Sequence, residues 1–154
     1  MKKIILAFLV LFCIFSFRNS YSQNSGTGLG IIVGEPSGIT IKHWVNSKNA
    51  IDGAIAWSFV ENGTFHIHAD YLYHMDVFSN PKIPFYFGIG GRIKLKNGND
   101  AADNKIGARV PVGIDVYFPE HSLGMFVEIV PVLDLSPDIG VSFNGAIGLR
   151  YFFK

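Results

Sequence analysis

The 154-residue chain carries 13 basic and 12 acidic side chains, 17 glycines and a single cysteine, for a net charge of +1. This is one domain's length, and a near-balanced charge without a basic cluster gives no electrostatic basis for binding nucleic acid. The first residues, MKKIILAFLVLFCIFSFRNSYSQ, place Lys2 and Lys3 ahead of an apolar run, and Ser20-Tyr21-Ser22 ahead of Gln23. Those are the three parts of a secretory signal peptide over residues 1–22. The apolar run, about fourteen residues, is shorter than the ~20 a transmembrane helix needs. Cys13 lies inside this segment, so the expected mature domain, 23–154, has no disulfide or thiol chemistry. Removal of Lys2, Lys3 and Arg18 leaves 10 of the 13 basic side chains against 12 acidic ones.

Beyond the leader no segment has helical periodicity. Turn-forming clusters recur instead: EPSG (35–38), NSKN (46–49), VENG (60–63), DVFSNPK (76–82), NGNDAADN (97–104), PEHS (119–122) and SPD (136–138). They are rich in Gly, Pro, Asn, Asp and Ser, the residues turn geometry favours. Between them lie eight expected strands, near 28–34, 38–45, 50–59, 64–75, 84–96, 106–118, 123–135 and 139–153. Connections this short make a meander in which each strand runs antiparallel to the last.

The strands alternate with a period of two, which separates two sides. In the fourth, Thr64, His66, His68, Asp70, Leu72 and His74 oppose Phe65, Ile67, Ala69, Tyr71, Tyr73 and Met75. In the sixth, Ile106, Ala108, Val110, Val112, Ile114, Val116 and Phe118 oppose Gly107, Arg109, Gly113 and Asp115. The polar side carries ten glycines: Gly28, Gly30, Gly34, Gly88, Gly90, Gly107, Gly113, Gly124, Gly140 and Gly148. Glycine weakens an open strand but suits the converging interior of a narrow barrel. The same side balances Lys42, Arg92, Lys94, Arg109 and Arg150 against Asp52, Asp70, Asp115, Glu128 and Asp134. A confined lumen requires such pairing, because an isolated buried charge is expensive. The opposite side is Ile, Val, Leu and Phe, with Phe59, Phe65, Tyr73, Phe85, Phe118, Tyr151 and Phe153 toward strand ends, as in an outward apolar band with aromatic girdles. The expected fold is an all-β, eight-stranded antiparallel up-and-down transmembrane β-barrel. Pro111 and Pro131 fall inside strands six and seven, where a closed sheet has no free edge, so a bulge or ladder gap is expected there.

The final residues, GLRYFFK (148–154), set Gly148, Tyr151 and Phe153 in a pattern that resembles the last-strand signal of bacterial outer-membrane barrels. With the leader and the eight strands, the chain resembles the small outer-membrane barrels of the OmpA/OmpX type. GLGIIVGEPSGITIKHW (28–44) and NAIDGAIAWSF (49–59) are also similar to a group of short exported bacterial proteins of unassigned function. The resemblance implies the outer membrane of a Gram-negative cell, contact with its lipid and lipopolysaccharide, and the barrel-assembly machinery as a partner through the last strand.

With the polar side inward, a network of Lys42, His66, His68, Asp70, Arg92, Arg109, Asp115, Glu128 and Arg150 is expected to fill the lumen. Within it Asp70 is expected to meet Arg92, and Arg109 to meet Glu128. His66 and His68 lie ~7 Å apart along a strand and could share a metal with a third ligand; pairing with lumen carboxylates and arginines is the expectation adopted, with no metal and no cofactor. Outer-membrane lipid A deacylases carry a His-x-Ser pair on the membrane side, and none of the five histidines has a serine two residues later. No enzyme activity is expected. The expected role is that of an integral envelope protein serving membrane integrity or surface interaction. The alternatives are a soluble periplasmic barrel binding a lipophilic ligand in an apolar core, and a membrane-embedded lipid-modifying enzyme or metal site.

Overall fold

A computed structural model describes residues 25–58, 64–95 and 104–153. The expected signal peptide with Cys13, the 60–63 turn, Phe59 and most of the 97–104 turn lie outside the described residues. The strands are β1 (Thr27–Glu35), β2 (Ser37–Trp44), β3 (Asn49–Ser58), β4 (Thr64–Met75), β5 (Phe85–Leu95), β6 (Lys105–Arg109), β7 (Val112–Phe118), β8 (Leu123–Ser136) and β9 (Gly140–Phe153). Every pairing is antiparallel, and apart from β6 with β7 each strand pairs with its neighbour in sequence. β1 also pairs with β9, from Thr27 opposite Phe153 to Glu35 opposite Gly145, so the sheet closes on itself and has no edge.

Nine segments make eight staves. β5 pairs with both β6 and β7, and so does β8, because these two are halves of one strand interrupted at Val110-Pro111. The expected sixth strand, 106–118, is therefore broken where proline removes a donor. The ladder gap is shared by both prolines. Gly88 N–H donates to the Pro111 carbonyl (2.9 Å) and Val110 N–H to the Pro131 carbonyl (3.0 Å), while neither proline nitrogen has a hydrogen to return. Pro131→Val should restore a donor opposite Val110 and raise stability by about 1 kcal/mol, the usual net value of one hydrogen bond. A shift of the urea midpoint of the refolded barrel to higher concentration would register it. A second irregularity lies one turn away, where Ile106 faces Ser136 but Gly107 faces Asp134, a bulge that leaves Leu135 unopposed.

The alternation read from the sequence sets the radial direction of the side chains. Among the described residues the buried charged side chains are Lys42, Asp52, Asp70, Arg92, Lys94, Arg109, Asp115, Glu128, Asp134 and Arg150, the ten of the polar side. The apolar side faces outward: Val33, Ile89, Ile129 and Ile147 are more than half exposed. Outward aromatics collect at both ends of the barrel. Tyr73 with Phe87 and Tyr151 with Phe153 stand at the end holding the first residues of β1, and Trp57 with Phe65 at the other. Gly140 departs from the expected role of the glycines. It lies exposed at the rim, with nothing within 4 Å of where a side chain would begin, since the β8–β9 hairpin overshoots the β1–β2 turn there.

Candidate functional site

Only a few large groups fit inside eight staves, and they are stacked in layers. At the end holding the first residues of β1, Trp44, Ala50, Tyr117 and Phe152 form an apolar plug. Lys42 lies beneath it with no exposed surface. Its ammonium donates to Asp115 Oδ2 (2.5 Å) and Tyr117 Oη (3.3 Å), and sits 4.9 Å from the Trp44 ring and 5.1 Å from that of Tyr86. His74 completes this cage. Its Nδ1 donates to the Lys48 carbonyl (3.1 Å), which can only accept, while Nε2 lies 2.8 Å from the Lys42 ammonium and 3.1 Å from Asp115 Oδ2. Lys42 on β2 and Asp115 on β7 belong to opposite walls, so the pair crosses the lumen.

The middle and far layers share one device. Asp70 stands opposite Gly90, and Gly90 opposite Arg109; Arg109 Nε reaches over the glycine to within 3.0 Å of Asp70 Oδ1. Arg92, Gly107 and Asp134 form a second such row, in which Arg92 Nη2 donates to Asp134 Oδ1 (2.7 Å). In a third, Tyr86 Oη donates across Gly113 to Glu128 Oε2 (3.0 Å). In a fourth, Arg150 Nη2 donates across Gly30 to Thr40 Oγ1 (2.8 Å) and also pairs with Asp52. Partners two staves apart are ~10 Å apart at the backbone. A side chain on the strand between them would stand in the way.

These rows correct one expected pairing. Arg92 does not meet Asp70, because in register it faces His68, and Gly107 on its other side opens the route to Asp134. Asp70 has Arg109 instead. Arg109 also approaches Glu128 Oε1 at 3.4 Å, the pair expected between strands six and seven. Arg150 carries a second contact, its guanidinium carbon lying 3.8 Å from the centre of the Phe126 ring, and Phe126 fills the space that Gly148 leaves open. The inward aromatics Trp44, Tyr86, Tyr117, Phe126 and Phe152 were not among the sequence-derived lumen residues. Their signal is the glycine facing each of four of them: Gly113 for Tyr86, Gly124 for Tyr117, Gly148 for Phe126 and Gly28 for Phe152.

His66 and His68 point inward and are buried, with their rings 5.4 Å apart edge to face. Neither nitrogen of His66 has a hydrogen-bond partner. Among the described residues the group able to converge on a metal is Asp52, His68 and Asp70, without His66. His43 faces outward, where its Nδ1 meets Thr27 Oγ1 at 2.8 Å on the barrel rim.

Residues 18–151 match the family described as "Protein of unknown function (DUF3996)". The chain belongs to this family. No curated protein matches it. Among solved structures it is similar to the N-terminal β-barrel domain of Pseudomonas aeruginosa OprF, with a TM-score of 0.68 at 12% identity, covering 83% of this chain and 97% of that one. At that identity the likeness concerns the fold, and it extends over nearly the whole OprF domain. The similarity thus reaches the closed barrel as a unit rather than a shared hairpin.

Proposed function

We propose that this DUF3996 chain is an integral outer-membrane barrel whose lumen is closed by an ion-pair network. Its work is non-catalytic, in envelope integrity or interaction at the cell surface. The observation that carries this is polarity turned inside out: among the described residues ten charged side chains are buried while rows of Ile, Val, Leu and Phe are exposed. A soluble protein rarely exposes an apolar patch beyond a few hundred Å². An all-round apolar band flanked by aromatic girdles suits a bilayer. The soluble alternative, a barrel holding a lipophilic ligand, needs an apolar interior, and this interior is charged and filled.

Eight staves leave room for side chains rather than an aqueous channel, which argues against a pore. Lipid and lipopolysaccharide would contact the outward face, and the barrel-assembly machinery would engage β9 through Gly148, Tyr151 and Phe153. The absence of a His-x-Ser pair on the outer face argues against acyl transfer.

Ile129, at the middle of β8 and 63% exposed, tests the location. Ile129→Arg should destabilise the barrel folded in lipid vesicles by about 2–4 kcal/mol, the cost of arginine at the bilayer midplane. Urea titration of both forms measures this. In a water-exposed barrel the same change would leave stability within about 0.5 kcal/mol, and that result would refute the membrane assignment.

A further inference from the structure

We propose that Asp52, His68 and Asp70 form a divalent-metal site in the lumen, selective for a zinc-class ion. One ligand atom from each lies within 4.8 Å of the others, and His68 Nε2 is 4.0 Å from Asp70 Oδ2. Donors bound to one tetrahedral zinc at ~2.1 Å lie ~3.4 Å apart, so the 4.0 Å His68–Asp70 spacing must close by roughly half an ångström. Drawing in Asp52 from 4.8 Å requires up to roughly 1.4 Å, a rotation about side-chain torsions. All three residues are at least 95% buried.

Three further observations point to a cation. Asp52 and Asp70 stand directly opposite each other on β3 and β4, an arrangement of like charges that destabilises a sheet unless something lies between them. Around them, Lys42, Arg109 and Arg150 face four carboxylates, those of Asp52, Asp70, Asp115 and Glu128, and Arg109 is shared between two of these. Arg92, opposite His68 in register, is committed to Asp134. Finally, both nitrogens of His66, whose ring lies 5.4 Å from that of His68, are buried without hydrogen-bond partners. Buried polar groups are normally satisfied, and a group that is not calls for an explanation such as an ion.

The arginines suit outer-sphere roles. Arg150 holds Asp52 Oδ2 and Arg109 holds Asp70 Oδ1, which leaves Asp70 Oδ2 turned toward His68. Such outer partners orient ligating carboxylates. An imidazole in the set favours zinc over magnesium or calcium, which take oxygen ligands. His66, two residues along the same strand with its ring 5.4 Å from that of His68, is a candidate fourth donor. This site does not depend on whether the barrel lies in a membrane.

The test is calorimetric titration of Zn2+ into the chelator-treated barrel refolded in detergent, with Mg2+ as comparison. One equivalent of Zn2+ should bind, Mg2+ should not, and His68→Gln should weaken binding at least 100-fold. His43→Gln, at the rim, should change nothing. If His68→Gln does not refold, Asp52→Asn is held to the same criterion. Absence of Zn2+ binding, equal binding of Mg2+, or undiminished binding by the lumen variants would overturn the proposal.

Discussion

Lys42→Ala is expected to cost the barrel about 3–5 kcal/mol, the loss that follows when one member of a buried ion pair is removed. The ammonium has no exposed surface and supplies hydrogens to Asp115, Tyr117 and His74. Without it, the Asp115 carboxylate remains buried among rings, with no other cation among the described residues within ion-pairing distance except a protonated His74. The pair also ties β2 to β7 across the lumen, so its loss loosens two walls together. Replacing both partners, as Lys42→Met with Asp115→Leu, should recover much of the cost, since apolar groups of similar volume often substitute for a buried pair without penalty. Urea titration of the refolded variants measures both effects. A loss below about 1 kcal/mol for Lys42→Ala, the range of exposed pairs, would mean that water reaches this layer.

Gly90→Leu is expected to prevent assembly. A Cβ at this position would lie 1.9 Å from Asp70 Oδ1 and 2.2 Å from the Ala69 carbonyl oxygen. The backbone of β4 cannot yield while it remains in the ladder. Overpacking alone costs about 1–3 kcal/mol, and here the added side chain also stands between Arg109 and Asp70. The appropriate comparison is Gly140→Leu at the open rim, which should fold like the parent. The folded fraction of each, read as the heat-modifiable band after refolding, separates them. Equal yields would remove the idea that lumen glycines act as spacers between ion partners.

The radial side of each residue was legible because strand periodicity is local. Asp52, Asp70, Arg92 and the other seven charges could be assigned inward from their own strands alone. Partners were not legible in the same way. Whether Asp70 meets Arg92 or Arg109 depends on the register of three strands and on which of them carries a glycine at that level. No single strand contains that information. The same holds for the candidate metal site, where Asp52 enters from β3 in place of His66. The inward aromatics were hidden for a different reason: Tyr86, Tyr117, Phe126 and Phe152 break the polar alternation, and only a glycine on a facing strand marks the space they fill. The interruption at Val110-Pro111 was legible because proline acts through its own missing hydrogen.

The central claim, a closed barrel with its charged side inward and its apolar side in lipid, is tested most directly by expressing the full chain in a Gram-negative host. Outer membranes are washed in high salt, and boiled and unboiled samples are compared by gel mobility. Retention in the membrane with a heat-dependent shift is the predicted result. A water-soluble periplasmic protein with no shift would contradict it.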